Sequence, residues 1–215
     1  MADRFVIAVD GPSGVGKSTV SRRVAAHFGL DHLDTGALYR AATLAVLESG
    51  ADREDAEAVV EVVARAVIDQ TDGITTLNDM DVSQVIRSEA VTGAVSEVSA
   101  IEGVREILVE MQRRWVDERG GRAVVEGRDI GSVVFPGAAL KVYLTADPEE
   151  RARRRSGEAG TDHVITRAAI ERRDAYDSTR AVSPLTVAEG AVVIDTTDLT
   201  LPEVVDLVIA EASLT

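Results

Sequence analysis

Only two lysines occur in this 215-residue chain, against twenty-one arginines, and one of the two closes a glycine-rich run. Gly11, Pro12, Ser13, Gly14, Val15, Gly16, Lys17, Ser18 and Thr19 fit the pattern G-x-x-x-x-G-K-[ST]. Three glycines let the backbone curl until consecutive N–H groups point into one concavity, and such a nest at a helix N-terminus favours anions. A lysine at position 17 reaches the β- and γ-phosphates of a nucleoside triphosphate, and the Ser18 hydroxyl can ligate Mg²⁺. The pattern has meaning only between a strand and a helix. Phe5 to Val9 is an apolar, mostly β-branched run that reads as a buried parallel strand. Val20, Val24, Ala25 and Phe28 recur at helical spacing.

A phosphate loop does not define a reaction, because GTPases, ATP-driven machines and small-molecule kinases share it. The guanine-reading Asn-Lys-x-Asp motif is absent, since the single asparagine, Asn78, has no lysine after it. Asp117 to Gly120 formally fits D-x-x-G but lies at the end of a helical pattern instead of after a strand. No strand ending in an acidic pair is evident. What the chain does carry is arginine after strand ends, where ligands bind in open α/β sheets. Arg40, Arg128, Arg151 to Arg155, and the late pair Arg173 and Arg180 flanking Asp177 all fit that description. Each alone also reads as a surface arginine or half of an ion pair. Together they suit phosphoryl transfer, which spreads charge over the migrating group and needs cations around it.

The elements that must position these groups follow a βα rhythm. Strands are expected near residues 5, 31, 123, 140 and 191, giving an α/β fold with a five-stranded parallel sheet and helices on both faces. Helices are expected at 19–28, 37–48, 52–68, 101–119, from Asp147-Pro148 onward, at 166–177 and at 201–212. Asp34 or Thr35 is placed to cap the second of these. Between 60 and 100 the rhythm stops and small polar residues dominate, which reads as an inserted subdomain. Gly157 and Gly160, after the basic run, would suit a lid at about 151–163. The core would then be about 1–59, 101–150 and 164–215 of a single domain.

Composition narrows the function classes. The net charge is −14 and the pI about 4.6, so extended contact with a polynucleotide backbone is not expected. Aromatic residues are 3%, too few for base stacking along a strand. With no cysteine, disulfides, thiolate metal sites and thiol catalysis are excluded. Residues 1–4 lead straight into a core strand, and no apolar run approaches ~18 residues. A cytosolic monomer acting on small molecules, without membrane or nucleic-acid partners, is expected.

Taken together, Gly11 to Ser18, Leu33-Asp-Thr-Gly-Ala-Leu-Tyr-Arg40, Asp81-Val-Ser-x-x-Ile-Arg87, Val104-Arg-Glu106, Gly127-Arg-Asp-Ile-Gly131 and Arg173-x-x-x-Asp177-x-x-Arg180-Ala-x-x-Pro-Leu185 resemble the bacterial cytidylate kinases. The likeness runs over nearly the whole chain in the right order. The last two blocks are specific, whereas the phosphate loop is widely shared. The resemblance implies a P-loop kinase fold with an NMP-binding insert, and transfer of the ATP γ-phosphate to CMP or dCMP with Mg²⁺. It also implies that Ser96, Arg105 and Asp129 read the cytosine, and that Arg40, Arg128 and Arg180 hold the acceptor phosphate. Arg173 and Asp177 would meet the sugar hydroxyls, and Arg154 would belong to a lid over ATP. Lys17, Arg128, Arg154 and Arg180 would form the catalytic set, with Asp34 and Thr35 on the acceptor side. Thr35 stands where the family usually has serine. Residues 69–80 look shorter than the family's usual three-stranded piece. A kinase of another small acceptor, or a nucleotide-responsive binding module, would share the loop but not the specific blocks.

Overall fold

The computed structural model describes residues 4–159, 167, 168, 170, 172, 174 and 185–214. Strands β1 (Phe5–Asp10), β2 (Asp31–Asp34), β6 (Arg122–Gly127), β7 (Leu140–Thr145) and β8 (Val192–Asp195) form one sheet in the order β2-β6-β1-β7-β8. The β1–β6, β1–β7 and β7–β8 pairs are parallel. The phosphate-loop strand is therefore central. Its run Val6 to Val9 is buried throughout, because a parallel strand between two neighbours is covered on both faces.

Helices α1 (Lys17–Phe28) and α7 (Leu201–Ala212) share one core with alternate residues of that sheet. Ile7, Val9, Val124, Val142 and Leu144 meet Val20 and Val24 of α1 and Val204 and Val208 of α7. The α7 start is a capping box between Thr200 and Glu203 with Pro202 in the first turn. Helix α6 (Pro148–Ala159) begins at Asp147, whose carboxylate accepts the Glu149 N–H at 2.8 Å.

The chain divides into two compact units, Met1–His32 with Arg119–Thr215, and Leu33–Glu118. The second contains α2 (Thr35–Ser49), α3 (Ala56–Arg65), β3 (Ile68–Thr71), β4 (Ile74–Leu77), β5 (Met80–Asp81), α4 (Glu89–Ala100) and α5 (Glu102–Glu118). It thus takes in the expected insert and two long helices besides. Helix α2 is buried on most of its circumference, as the central helix of a small α-rich unit must be.

Two expectations for this unit are corrected. The helix expected over 52–68 spans only Ala56–Arg65. Asp55 caps it by accepting the Ala58 N–H at 3.1 Å, and Ile68 already belongs to a strand. Residues 68–81 also hold three complete antiparallel strands in the order β3-β4-β5. They fit in few residues because both turns are two-residue hairpins with positive φ at both positions, Asp72-Gly73 and Asn78-Asp79. Helix α4 was not assigned from the sequence at all.

Candidate active site

The phosphate loop leaves β1 at Asp10 and enters α1 at Lys17. Gly11 has a φ of +146°, and a Cβ there would lie 2.1 Å from the Leu144 carbonyl oxygen. No other residue fits that close approach of the loop to β7. Gly16 is left-handed at the start of α1, and the first-turn N–H groups of a helix have no partner within it. Here the Thr19 N–H donates to the Gly16 carbonyl at 3.1 Å, and a helix start in this position favours anions.

Two cations meet at one carbonyl. Lys17 Nζ donates to the Gly11 and Pro12 oxygens at 2.8 and 2.7 Å, and Arg128 Nη1 donates to the same Gly11 oxygen at 2.7 Å. Arg128 reaches there because β6 runs beside β1, with Asp10 opposite Gly127. The loop that carries Arg128 and Asp129 is fastened to β1 by Asp10. Its two carboxylate oxygens accept the Ile130 and Gly131 N–H groups at 2.9 and 2.8 Å. Asp10 is 4% exposed. Burial pushes its carboxyl up to about 6, and the Asp129 charge adds to the rise; the two N–H donors and Lys17 oppose it.

Beside Ser18 stands a residue that the sequence reading missed. Ser18 Oγ donates to Glu126 Oε2 at 2.9 Å, and His32 Nε2 lies 3.0 Å from Glu126 Oε1. Glu126 is 3% exposed and sits opposite Val9 at the end of β6. A hydroxyl and a carboxylate are hard oxygen donors of the kind Mg²⁺ takes. In phosphate-loop enzymes the loop Ser/Thr and an acid ending a neighbouring strand share that ion. Among the described residues no cluster of three or more His, Cys, Asp or Glu could hold a metal alone. The available signal was a lone acid closing the apolar run Ala123-Val-Val.

The basic run after β7 divides by role. Arg151 is 7% exposed. It donates to the Ser13 and Ala146 oxygens, both at 3.2 Å, and pairs with Asp174. Asp174 Oδ1 also accepts the Ser13 N–H at 3.4 Å. Helix α6 thus clamps the outer side of the loop, where Gly14 leaves just enough room against the Arg151 carbonyl. Arg154 bonds Glu150 at 2.8 Å, Thr196 Oγ1 at 3.0 Å, and the Thr196 and Thr197 carbonyls at 2.6 and 3.3 Å. Arg153 is held by Glu150 alone in an exposed pair. Of the expected lid, residues 160–163 lie outside the described residues, as do Arg173, Asp177 and Arg180.

In the second unit, Asp34 caps α2 by accepting the Ala37 N–H at 3.1 Å, with Arg87 Nη2 at 3.8 Å from its other oxygen. Thr35 is 3% exposed in the first turn. Arg40, about a turn and a half further, donates from Nη1 to the Ile86 carbonyl at 3.0 Å and to Thr92 Oγ1 at 2.9 Å. Arg105 is 4% exposed, its guanidinium 5.6 Å from the Tyr39 ring centroid. Ser96 is half-buried on α4. Within this unit Arg40, Arg105 and Thr35 are therefore interior groups, not solvated ones.

A phosphate loop on the central strand of this sheet, with Lys17, Arg128 and a Ser18–Glu126 pair, defines a P-loop kinase. A solved gluconokinase from Sinorhizobium meliloti shares the fold, at a TM-score of 0.52 and 16% identity, covering 98% of this chain and 93% of that one. The cytidylate kinase family model matches residues 7–214. The cytidylate kinase of Nocardia farcinica is 49% identical over 211 residues, covering 94% of this chain and 90% of that protein. That of Mycobacterium leprae is 49% identical over 206 residues, covering 94% and 92%. The chain belongs to the cytidylate kinase family.

Proposed function

We propose that this protein transfers the γ-phosphate of ATP to CMP or dCMP, giving ADP and CDP or dCDP, with the residues in the following roles. The loop 11–19 and Lys17 cradle the donor phosphates. Mg²⁺, held by Ser18 and Glu126, would neutralise charge on the donor phosphates. Arg154 takes the ATP side from α6, as family membership implies. Arg40, Arg128 and Arg180 hold the acceptor phosphate through planar, bidentate guanidinium forks. Arg173 and Asp177 take the sugar hydroxyls; Ser96, Arg105 and Asp129 read the base, with Asp34 and Thr35 shaping the acceptor side.

The observation that carries the chemistry is the meeting of Lys17 and Arg128 on the Gly11 oxygen. Lys17 and Arg128 bring two positive charges to one point of the loop, and a phosphate dianion there would be attracted to both. Fixed positive charge placed where charge develops is the main source of rate in phosphoryl transfer. The acceptor assignment rests on family membership.

The test is ADP formation from ATP with CMP, dCMP, UMP, AMP, gluconate and shikimate offered separately. ADP formation that depends on CMP or dCMP is expected. Turnover with another acceptor only would overturn the substrate, and ATP binding without acceptor-dependent turnover would overturn the enzyme.

A further inference from the structure

Gln70 belongs to no motif in the sequence, yet all its polar atoms point at the start of the acceptor helix and its support. Its side chain is 2% exposed. Oε1 accepts the Asp34 backbone N–H at 2.7 Å. Nε2 donates to Thr75 Oγ1 at 3.0 Å and, at 3.4 Å, to the Asp34 carbonyl. The amide therefore grips both backbone groups of residue 34, as a neighbouring strand would. Its own backbone is held in turn: Gln70 sits opposite Thr75 in the β3–β4 ladder, and its carbonyl accepts the Trp115 Nε1–H at 2.7 Å.

Residue 34 is the point where β2 becomes α2. Its carboxylate caps the helix and faces Arg87, and α2 carries Thr35 and Arg40 into the interior of the unit. Arg40 is tied to Ile86 of the 3₁₀ turn Val85–Arg87. That turn leaves the same small sheet, since the Val82 N–H donates to the Thr75 carbonyl at 2.9 Å. Gln70 and Thr75 thus set the first turn of α2 and the seat of Arg40 from one place.

We infer that Gln70 is a positioning residue for the acceptor nucleotide: its buried amide fixes the Asp34 backbone, and so the register in which α2 presents Thr35 and Arg40. This rests on the acceptor-side reading above. An apolar replacement leaves a buried N–H and a buried hydroxyl without their partner, and the helix start must shift to satisfy them.

The experiment compares wild type, Gln70→Met and Thr75→Val by steady-state kinetics with ATP and CMP and by amide hydrogen exchange without nucleotide. Gln70→Met is expected to raise the CMP KM by about tenfold, with the ATP KM within about twofold. Exchange at residues 34–37 should rise by at least about tenfold, while the middle of α2 keeps its protection. Thr75→Val removes one partner of the amide and should raise the CMP KM by about threefold, so the inference stays testable if Gln70→Met does not fold. Equal rises in both KM values, or unchanged exchange at 34–37, would overturn it. A wild type that ignores CMP would overturn the acceptor reading instead, and exchange at 34–37 would still decide whether Gln70 fixes that turn.

Discussion

The two units hold their arginines by opposite means. In the unit built on the sheet, Lys17, Arg128 and Arg151 are fixed by backbone carbonyls of the phosphate loop or next to it. Carboxylates at Glu126 and Asp174 bond Ser18 and Ser13 of the phosphate loop, and Asp10 fastens the loop that carries Arg128. In the second unit, Arg40 and the α2 start are held by scattered partners: an amide at 70, hydroxyls at 75 and 92, a carbonyl at 86. Charge density is therefore concentrated around the loop, where a polyanion must be met. In the other unit the bonds that Arg40 makes to Ile86 and Thr92 are to neutral partners, which fix position without adding charge. Substitutions in the first should change the rate, and those in the second should change acceptor affinity.

The largest expected effect breaks the first half of that contrast. Lys17→Ala should lower kcat by roughly 10²-fold or more, because a fixed cation at developing charge contributes several kcal/mol. The melting temperature should move by only a few degrees, since Lys17 is half-buried and no core contact is lost. Near-normal turnover in stopped-flow or coupled assays would remove Lys17 from the chemistry.

The contrast also explains what the sequence disclosed. The loop is a contiguous string of residues with one physical purpose, so it could be read directly. The five parallel strands could be read too, β1 and β6 because buried strands are apolar runs and the rest from the βα rhythm. Glu126, Asp10 and Asp174 could not, because their partners lie 108, 120 and 161 residues away and only strand order brings them together. Gln70 and α4 were hidden for another reason. The strands around Gln70 are two to four residues long, too short for alternation to show, and α4 is rich in small residues with weak amphipathicity. The run 73–77 reads as a strand, and the Asp72-Gly73 turn was a legible hairpin signal that would have exposed β3 beside it.

Asp10 gives the next test, through stability. Its carboxyl is raised from the usual 3.8 to about 6, first by burial. Between those values the folded chain keeps a proton that the unfolded chain has lost. Stability therefore falls as pH rises from about 4 to 6, by about 2 kcal/mol from this group. Glu150, held low first by its hydrogen bond to Arg153, acts in the opposite sense at lower pH. Asp10→Asn stays neutral throughout, so the difference between wild type and variant in urea unfolding should change by about that amount between pH 4 and 6.5. A constant difference would show that Asp10 does not bear the cost of the loop.

Arg40→Ala tests the second unit. If Arg40 holds the acceptor phosphate, its loss should raise the CMP KM roughly 10- to 100-fold and leave the ATP KM nearly unchanged. An equal loss for ATP would place Arg40 on the donor side or in the scaffold, and the division between rate and affinity would fail.

Asp129 is the residue that the contrast makes hardest to place. It is 5% exposed, lies in the loop that Asp10 fastens, and adds to the rise of the Asp10 carboxyl, yet its assigned partner is the acceptor base. Cytosine presents an N4 amino donor that a carboxylate accepts, whereas uracil presents an O4 acceptor at that place. Acceptor set against acceptor in a buried site leaves both unpaired, and sites built on such a bond reject the wrong partner strongly. Asp129→Asn changes little volume, and its amide NH₂ can donate to O4. If Asp129 reads the base, kcat/KM for CMP should fall and the CMP-to-UMP ratio should narrow by about tenfold, within the ~1–3 kcal/mol of one good base contact. If Asp129 serves only the loop around Arg128, both nucleotides should lose activity together and the ratio should hold. Asp129 would then join Asp10 as an anchor of the first unit, and base selection would fall to Ser96 and Arg105 of the second.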